Sequence, residues 1–571
     1  MTATKAGEPA MDPDDTGIGA PGAGAEAAGD LDASRLDDPR LTGQRLDGPD
    51  LPSGRIAALH DRLASPMPQD GIWGWLGPLL VTAFAAFFRF NRLSVPHALI
   101  FDETYYAKDA WSILRHGVEW NLVPKANDII LSGGTHIFQG CTGTGCGEYV
   151  VQPPVGKLAI AAGEWIYGLN PLGWRVAPAL FGTLAVFIMC RIARRLTRST
   201  LLGCVAGLLL SLDGLEYVLS RTGILDIFLM FFVLAAFGAM LVDRDVSRAR
   251  LARAVVLGRS DEAGPPLGIR RWRVAAGLLI GLACACKQDA VWYIFAFAGL
   301  AIAWDVGARR TVGLRRNWRG ALVRDGKWLP LTLGLIPLLT YIATWSGWLV
   351  THTGYYRDYA QNHGVKIPVV SALYSLFQYH HEMVKFGVGL HSSHPYMSQP
   401  WGWIVLSRPV AFYYQCYTSG SGAQACPKGY SGAQWSQEVL AIGNPAIWWV
   451  SIAAMLFCLG WWLTRRDWRA GAVLLCIAAG WLTWLPFMPR TKFDYYSLEF
   501  LPFLVLAITL CLGLIIGPAR ASLLRRALGA CIAGTYVLAV LILFWYFYPI
   551  LAGQIIPYSS WLSHMWYHGW I

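Results

Sequence analysis

The chain is short of charge and short of any soluble domain. Only 15% of its 571 residues are Asp, Glu, Lys or Arg, while 55% are hydrophobic and 27 are Trp; mean hydropathy is +0.39. That balance excludes an ordinary soluble enzyme and identifies a polytopic membrane protein with no nucleic-acid partner expected. There is no P-loop, no Gly-x-Gly-x-x-Gly after a strand and no Gly-x-Ser-x-Gly elbow, so nucleotide binding and serine hydrolysis have no motif behind them. There is no His-Glu-x-x-His either. His391 and His394 stand three residues apart with His380 and His381 upstream, but zinc needs three or four convergent ligands and no Cys completes such a set, so no metal is expected. Hydrogen bonding to a phosphate or sugar, or simple loop packing, are the competing readings of these histidines. No internal repeat is present.

Residues 1–54 are nearly free of aromatics and carry four Lys/Arg against eleven Asp/Glu. Such a stretch cannot bury enough apolar surface to fold alone, and it is expected to be a disordered, acidic, cytoplasmic tail. It has no basic n-region followed by an apolar h-region, so it does not read as a signal peptide. Arg55–Arg62 reads either as a short interfacial helix or as a frayed linker.

Membrane spans need about 20 mostly apolar residues, and inner loops are the Arg/Lys-rich ones. Eleven spans are expected, near 72–91, 174–193, 201–219, 223–242, 274–286, 290–306, 329–350, 446–464, 470–487, 498–517 and 527–548. This threading leaves every arginine cluster on the inner side. It divides the chain into the tail, an N-terminal transmembrane module (55–350) with an external loop at 92–173, a long external loop (351–445) and C-terminal helices (446–571). The apolar stretch 155–168 is too short to span and reads as a juxtamembrane helix. Eight of the twelve cysteines fall within spans; Cys141 and Cys146, and Cys416 and Cys426, fall in the two external loops, where disulfides are the expected state. The Cys141–Cys146 spacing also suits a metal hairpin, but no second Cys/His pair accompanies it.

The outer face then holds a sparse set of charged groups. Asp102 and Glu103 follow the first span by about a dozen residues. An acidic pair beside a bilayer is costly and often functional, and a carboxylate there can serve as a general base. Asp102 can equally N-cap the helix that Glu103-Thr-Tyr-Tyr-Ala-Lys starts. Arg89, Lys157, Arg175, Arg221, Asp226, Lys287, Arg490 and Lys492 fall on the same face. Singly, each is explained by a snorkelling side chain; together, cations near carboxylates suit a lipid phosphate beside a base.

Several motifs now acquire a name. Phe101-Asp102-Glu103, Gln152-Pro-Pro-Val-Gly-Lys157, Gly173-Trp-Arg175-Val-Ala-Pro and Asp213-Gly…Ser220-Arg221…Leu225-Asp226, with Lys287, His391-Ser-Ser-His394 and Arg490-Thr-Lys-Phe-Asp-Tyr-Tyr, resemble the protein O-mannosyltransferases, especially the actinobacterial-type members. The resemblance runs from about residue 72 to the C-terminus. It implies a GT-C glycosyltransferase fold, all-α and polytopic, with juxtamembrane helices in the first external loop. It also implies inverting transfer of mannose from polyprenyl-phosphate-mannose to Ser or Thr of secreted proteins. The family's acidic pair falls on Asp102 and Glu103, and its important arginines on Arg89 and Arg175. Lys157, Arg221, Asp226, Lys287, His391, His394, Arg490 and Lys492 are the further candidates for the donor phosphate and sugar.

Two departures from the eukaryotic pattern are visible. Gln152 stands where His usually precedes Pro-Pro, and loop 351–445 has no room for a β-trefoil domain, which bears on acceptor handling and not on the chemistry. No cofactor is required, because a phosphate leaves readily; a divalent cation bridging Glu103 and the donor stays open as an alternative. The expected partners are the lipid-linked donor, Ser/Thr-containing secreted proteins, membrane lipid and the protein translocation machinery, at a plasma membrane with the site outside. The rivals are a lipid-linked glycosyltransferase with a glycolipid acceptor and, more remotely, a transporter. A transporter would place its charges near mid-span with paired broken helices, not at helix ends on one face.

Overall fold

The computed structural model describes residues 53–571 apart from 64, 142–143, 419–433 and 519. The acidic tail and Cys426 lie outside the described residues. The chain divides into units 1–50 and 51–571, and the second unit is the subject here.

The first eleven helices are α1 (Ser53–Leu63), α2 (Trp73–Phe90), α3 (Glu103–His116), α4 (Ala126–Leu131), α5 (Val155–Tyr167), α6 (Pro171–Thr197), α7 (Thr200–Ser211), α8 (Gly214–Leu219), α9 (Asp226–Val256), α10 (Arg271–Cys284) and α11 (Val291–Thr311). Their starts are written in capping residues. Asn170 accepts from the amides of Leu172 and Gly173 ahead of Pro171. Ser199 accepts from Leu202, and Asp213 from Leu215 and Glu216. Each meets helix-start amides that have no intrahelical partner, and proline suits the first helical position. As expected, α3, α4 and α5 lie in the loop between the first two spans.

Among the described residues, eight helices are long and apolar enough to cross a membrane: α2, α6, α9, Gln288–Thr311, Asn317–Thr344, Pro445–Arg465, Trp468–Phe487 and Leu523–Leu551. The other three expected spans correspond to α7, α10 and Leu501–Ile516, which have 12, 14 and 16 residues. At ~1.5 Å per residue these reach roughly 18–24 Å, short of the ~30 Å hydrocarbon core. The count of eleven is therefore not confirmed. In the expected span 201–219 the helix stops at Ser211, and Asp213 caps a separate helix, α8. Leu501–Ile516 is buried along most of its length and serves as an internal post of the bundle.

Two further expectations change. The sequence places the end of the fourth span near 242, ahead of a basic loop; α9 instead runs to Val256. Its C-terminal half is held by buried ion pairs, Arg270 with Asp243 and Asp305, and Arg273 with Asp305. The fold is also not wholly α-helical. Strand β1 (Val410–Thr418) pairs antiparallel with β2 (Gln434–Ala441), which pairs with β3 (Ile555–Pro557) near the C-terminus. Val-Ala-Phe-Tyr-Tyr-Gln-Cys-Tyr-Thr is rich in β-branched and aromatic residues, and its burial alternates along most of its length, as strands require. Cys141 and Cys146 form the expected disulfide. Cys416 is disulfide-bonded as well.

Candidate active site

Asp102 and Glu103 are neighbours in sequence with opposite situations in space. Glu103 is fully buried and its two oxygens are occupied. Oε1 accepts from Arg175 Nε at 2.7 Å and from the Gly223 amide at 2.9 Å; Oε2 accepts from Arg175 Nη2 at 2.8 Å and the Ile100 amide at 3.0 Å. The remaining Arg175 donors go to the carbonyls of Pro96 and Ala98, both at 2.9 Å. This is a bidentate buried pair with its lone pairs and protons matched, the arrangement in which burying charge is tolerable. It ties the loop after α2 to α6 and to the turn before α9. Gly223 lets that turn approach, since a Cβ there would stand 3.2 Å from Trp174 and 3.4 Å from Glu103 Cγ.

Other expected donor-site cations are likewise committed. Arg89, buried at the end of α2, is paired with Glu216. Arg221 donates to the carbonyls of Phe88, Arg89, Asn91 and Arg92 at 2.7–3.0 Å; it closes the C-terminus of α2, where exposed carbonyls and the helix dipole favour a cation. Lys157 is buried between Glu119 and Asp109. Lys492 is buried and donates to the carbonyls of Phe487, Met488 and Arg490. His391 is bonded to the Pro489 carbonyl, while His394 accepts from the Tyr396 amide and packs edge-on to Phe493. The structure thus engages Arg89, Lys157 and Arg175 with internal carboxylates, and Arg221 and Lys492 with backbone carbonyls. Sequence gives position along the chain, and the partners Glu216, Glu119 and the loop carbonyls become visible only in the fold.

Asp102 occupies the N-cap position of α3 but makes no capping hydrogen bond, so the capping reading fails for its side chain. Phe101 before it has φ +46°, a left-handed conformation that costs a bulky residue energy. Aromatic packing holds it there: Phe101 stacks on Phe412 of β1 with centroids 4.5 Å apart and meets Tyr495 edge-on at 5.5 Å. Burial is the main cause that pushes the Asp102 carboxyl up to about 7; the like charge of Asp226 adds to it, and Lys287 and Tyr495 oppose it. A carboxylate near neutrality is tuned for accepting a proton.

Lys287 is the cation brought to this carboxylate. Its Nζ donates to Asp226 Oδ1 at 2.9 Å and lies 4.2 Å from the Tyr496 ring centroid. Burial works against its charge, yet Asp226 and Asp289 outweigh that and raise its pKa. Lys287 also lines a cavity of about 290 Å³ together with Gln152, Asp289, Trp484, Arg490 and Tyr496. Arg490 Nε donates to the Gly387 carbonyl at 2.5 Å, while its Nη1 is buried with no partner. Asp289 Oδ1 is buried and unpartnered too. Tyr495 and Asp289 were not singled out from sequence, although Tyr495 and Tyr496 sit inside the Arg490-Thr-Lys-Phe-Asp-Tyr-Tyr run. Among the described residues no group of three or more His, Cys, Asp or Glu side chains could hold a metal ion.

Asp102 thus lies within electrostatic reach of Lys287, and Lys287 in turn lines a cavity that also holds Arg490. The architecture matches that of the Saccharomyces cerevisiae protein O-mannosyltransferase Pmt1-Pmt2 complex bound to the sugar donor, with a TM-score of 0.63 over 91% of this chain and 94% of that one, at 14% identity. The two chains therefore share a fold. Residues 79–344 match the dolichyl-phosphate-mannose-protein mannosyltransferase family, and residues 372–570 match the C-terminal four-transmembrane region of protein-O-mannosyltransferase. The polyprenol-phosphate-mannose–protein mannosyltransferase of Mycobacterium tuberculosis is 39% identical over 518 residues, 88% of this chain and 93% of the relative. That of Corynebacterium glutamicum is 31% identical over 505 residues, 86% and 92% respectively. The chain belongs to the protein O-mannosyltransferase family.

Proposed function

We propose that the protein transfers mannose from polyprenyl-phosphate-mannose to Ser or Thr hydroxyls of secreted or membrane proteins, with Asp102 as general base. The observation that carries the site assignment is the uncapped Asp102 carboxylate, which burial pushes up to about 7 against the opposing charge of Lys287. Asp102 accepts the proton of the acceptor hydroxyl as its oxygen bonds to C1 of mannose. The C1–O bond to the phosphate breaks on the opposite side, inverting the anomeric centre and releasing polyprenyl phosphate. Lys287 and Arg490 meet the charge that grows on the departing phosphate, which is where electrostatic stabilisation acts on the rate. As drawn, the step uses no metal. Glu103 and Arg175 act through Asp102 by fixing the loop that carries it. The relatives compared above are named for protein acceptors, which favours this reading over a glycolipid acceptor. Purified protein in liposomes should move labelled mannose from its polyprenyl phosphate onto a Thr-rich peptide; label arriving only on a glycolipid would overturn the acceptor assignment.

The orientation proposed is a plasma-membrane protein with Asp102 outside and α1 inside, and acceptors delivered by the translocation machinery. The arginine-rich connections at the end of the bundle away from Asp102 support it. Ser393, exposed in the long loop, replaced by Cys should react with an impermeant thiol reagent in intact cells, and Gly258→Cys only after lysis. The reverse labelling would invert the topology.

A further inference from the structure

A second cavity lies in the opposite half of the bundle, between α11, Pro445–Arg465 and Trp468–Trp481. It measures about 890 Å³, within the range of small-molecule sites. Most of its wall is apolar, including Leu300, Leu459 and Ala478. Gly299, Ala303 and Gly307, at four-residue spacing along α11, hollow out one side of it. Ala303, Leu459 and Trp462 are exposed, so the groove is open on a face that meets lipid.

Its cations are Arg248, Arg310 and Arg466, and all three sit at the end remote from Asp102. Their neighbours show what is unusual about them. Arg309 is buried in a pair with Asp325, and Arg270 and Arg273 are paired with Asp243 and Asp305. Arg310, the next residue after Arg309, makes no side-chain hydrogen bond or ion pair among the described residues, and neither does Arg466. Arg248 is 8% exposed; its Nη1 donates to the Leu63 carbonyl at 2.7 Å and its Nη2 to the Trp304 carbonyl at 3.5 Å, while its Nε is buried without a partner. Trp304, Trp462 and Trp468 line the same end, the usual position of tryptophan where hydrocarbon gives way to headgroups.

We propose that this groove binds an anionic phospholipid from the leaflet opposite the active site, with its phosphate at Arg310 and Arg466 and its acyl chains running up between α11 and Trp468–Trp481. Basic pockets between membrane helices recognise such headgroups by charge. The top of the groove, at Trp481 and Leu482, adjoins Thr483 and Trp484 in the wall of the site cavity. A donor chain hanging down from the site would bring only hydrocarbon to the arginines and leave them unmatched. A phospholipid entering from the other leaflet matches both ends of the groove.

The test uses the full chain reconstituted with phosphatidylglycerol or phosphatidylcholine, each carrying a photoreactive acyl chain. Phosphatidylglycerol should crosslink to peptides covering 299–310 and 452–482, and Arg310→Gln/Arg466→Gln should lower that yield about tenfold. Ala303→Trp, which fills the groove and leaves the arginines in place, should also abolish labelling. Equal labelling by phosphatidylcholine, an unchanged yield in the double variant, or displacement of phosphatidylglycerol by equimolar polyprenyl phosphate would each overturn the proposal. Should the double variant unfold, the groove-filling variant and the competition decide it.

Discussion

Two sets of cations face the same end of this bundle, and they differ in what remains for a ligand. Arg89, Arg175 and Arg221 are internal struts: their donors reach Glu216, Glu103 and loop carbonyls. Lys287 and Arg490 line an open cavity, where Arg490 Nη1 has no partner. The first set holds a loop in place. The second retains capacity for an anion that arrives with the substrate. The same division separates Glu103, with four hydrogen bonds, from Asp102, whose carboxyl makes no capping bond. A charged residue at a membrane face therefore informs on function only once its partners are counted.

Breaking a strut should cost the most in integrity. Arg175→Ala leaves Glu103 buried without its counter-charge, which typically costs about 3–5 kcal/mol. Thermal unfolding in detergent should show that loss, with Arg175→Lys recovering part of it because the bidentate geometry is missing. An Arg175→Ala protein that is fully stable but weak in donor use would move Arg175 to the cavity set.

Removing the cavity cations should act on turnover; Arg490→Ala should leave folding intact, whereas Lys287→Ala also leaves buried Asp226 without its partner and should cost stability as well. Lys287→Ala and Arg490→Ala each remove a charge-assisted contact of about 1.5–3 kcal/mol, so kcat/KM for the lipid-linked donor should fall roughly 10–100-fold. Unchanged donor kinetics in both would leave the cavity without a phosphate.

The smallest effect, and the sharpest in sign, is on pH dependence. A base must be ionised, so the rate should rise with pH and level off above about 7, where Asp102 has lost its proton. Lys287 holds that value down and Asp226 holds it up. Lys287→Met should therefore shift the rising limb to higher pH, and Asp226→Asn to lower pH. A profile indifferent to both would separate Asp102 from its neighbours.

Much of this site was readable in the sequence, but not its internal bookkeeping. Asp102, Lys287 and Arg490 lie in motifs that stand out because charge is scarce around them. The partners of Arg89, Lys157 and Arg221 were not readable, since Glu216 lies 127 positions from Arg89 and Arg221 binds backbone, which leaves no trace in side-chain identity. The spans were legible where hydropathy is sustained over a full membrane thickness. Hydropathy alone did not reveal that the helix of 201–219 stops at Ser211, or that Leu501–Ile516 is too short to span. The sheet was missed because β1 and β2 lie in a loop read by its histidines and cysteines, and β3 pairs with β2 from more than a hundred residues away.

The central claim is that Asp102 serves chemistry while Glu103 and Arg175 serve the fold. Asp102→Asn tests it most directly, measured for mannosyl transfer and thermal unfolding in one preparation. Asparagine retains the shape and loses the proton acceptor, so activity should fall about 10²–10⁴-fold with the unfolding transition unmoved. Wild-type transfer by Asp102→Asn, or a loss of activity that merely tracks a loss of stability, would contradict the account.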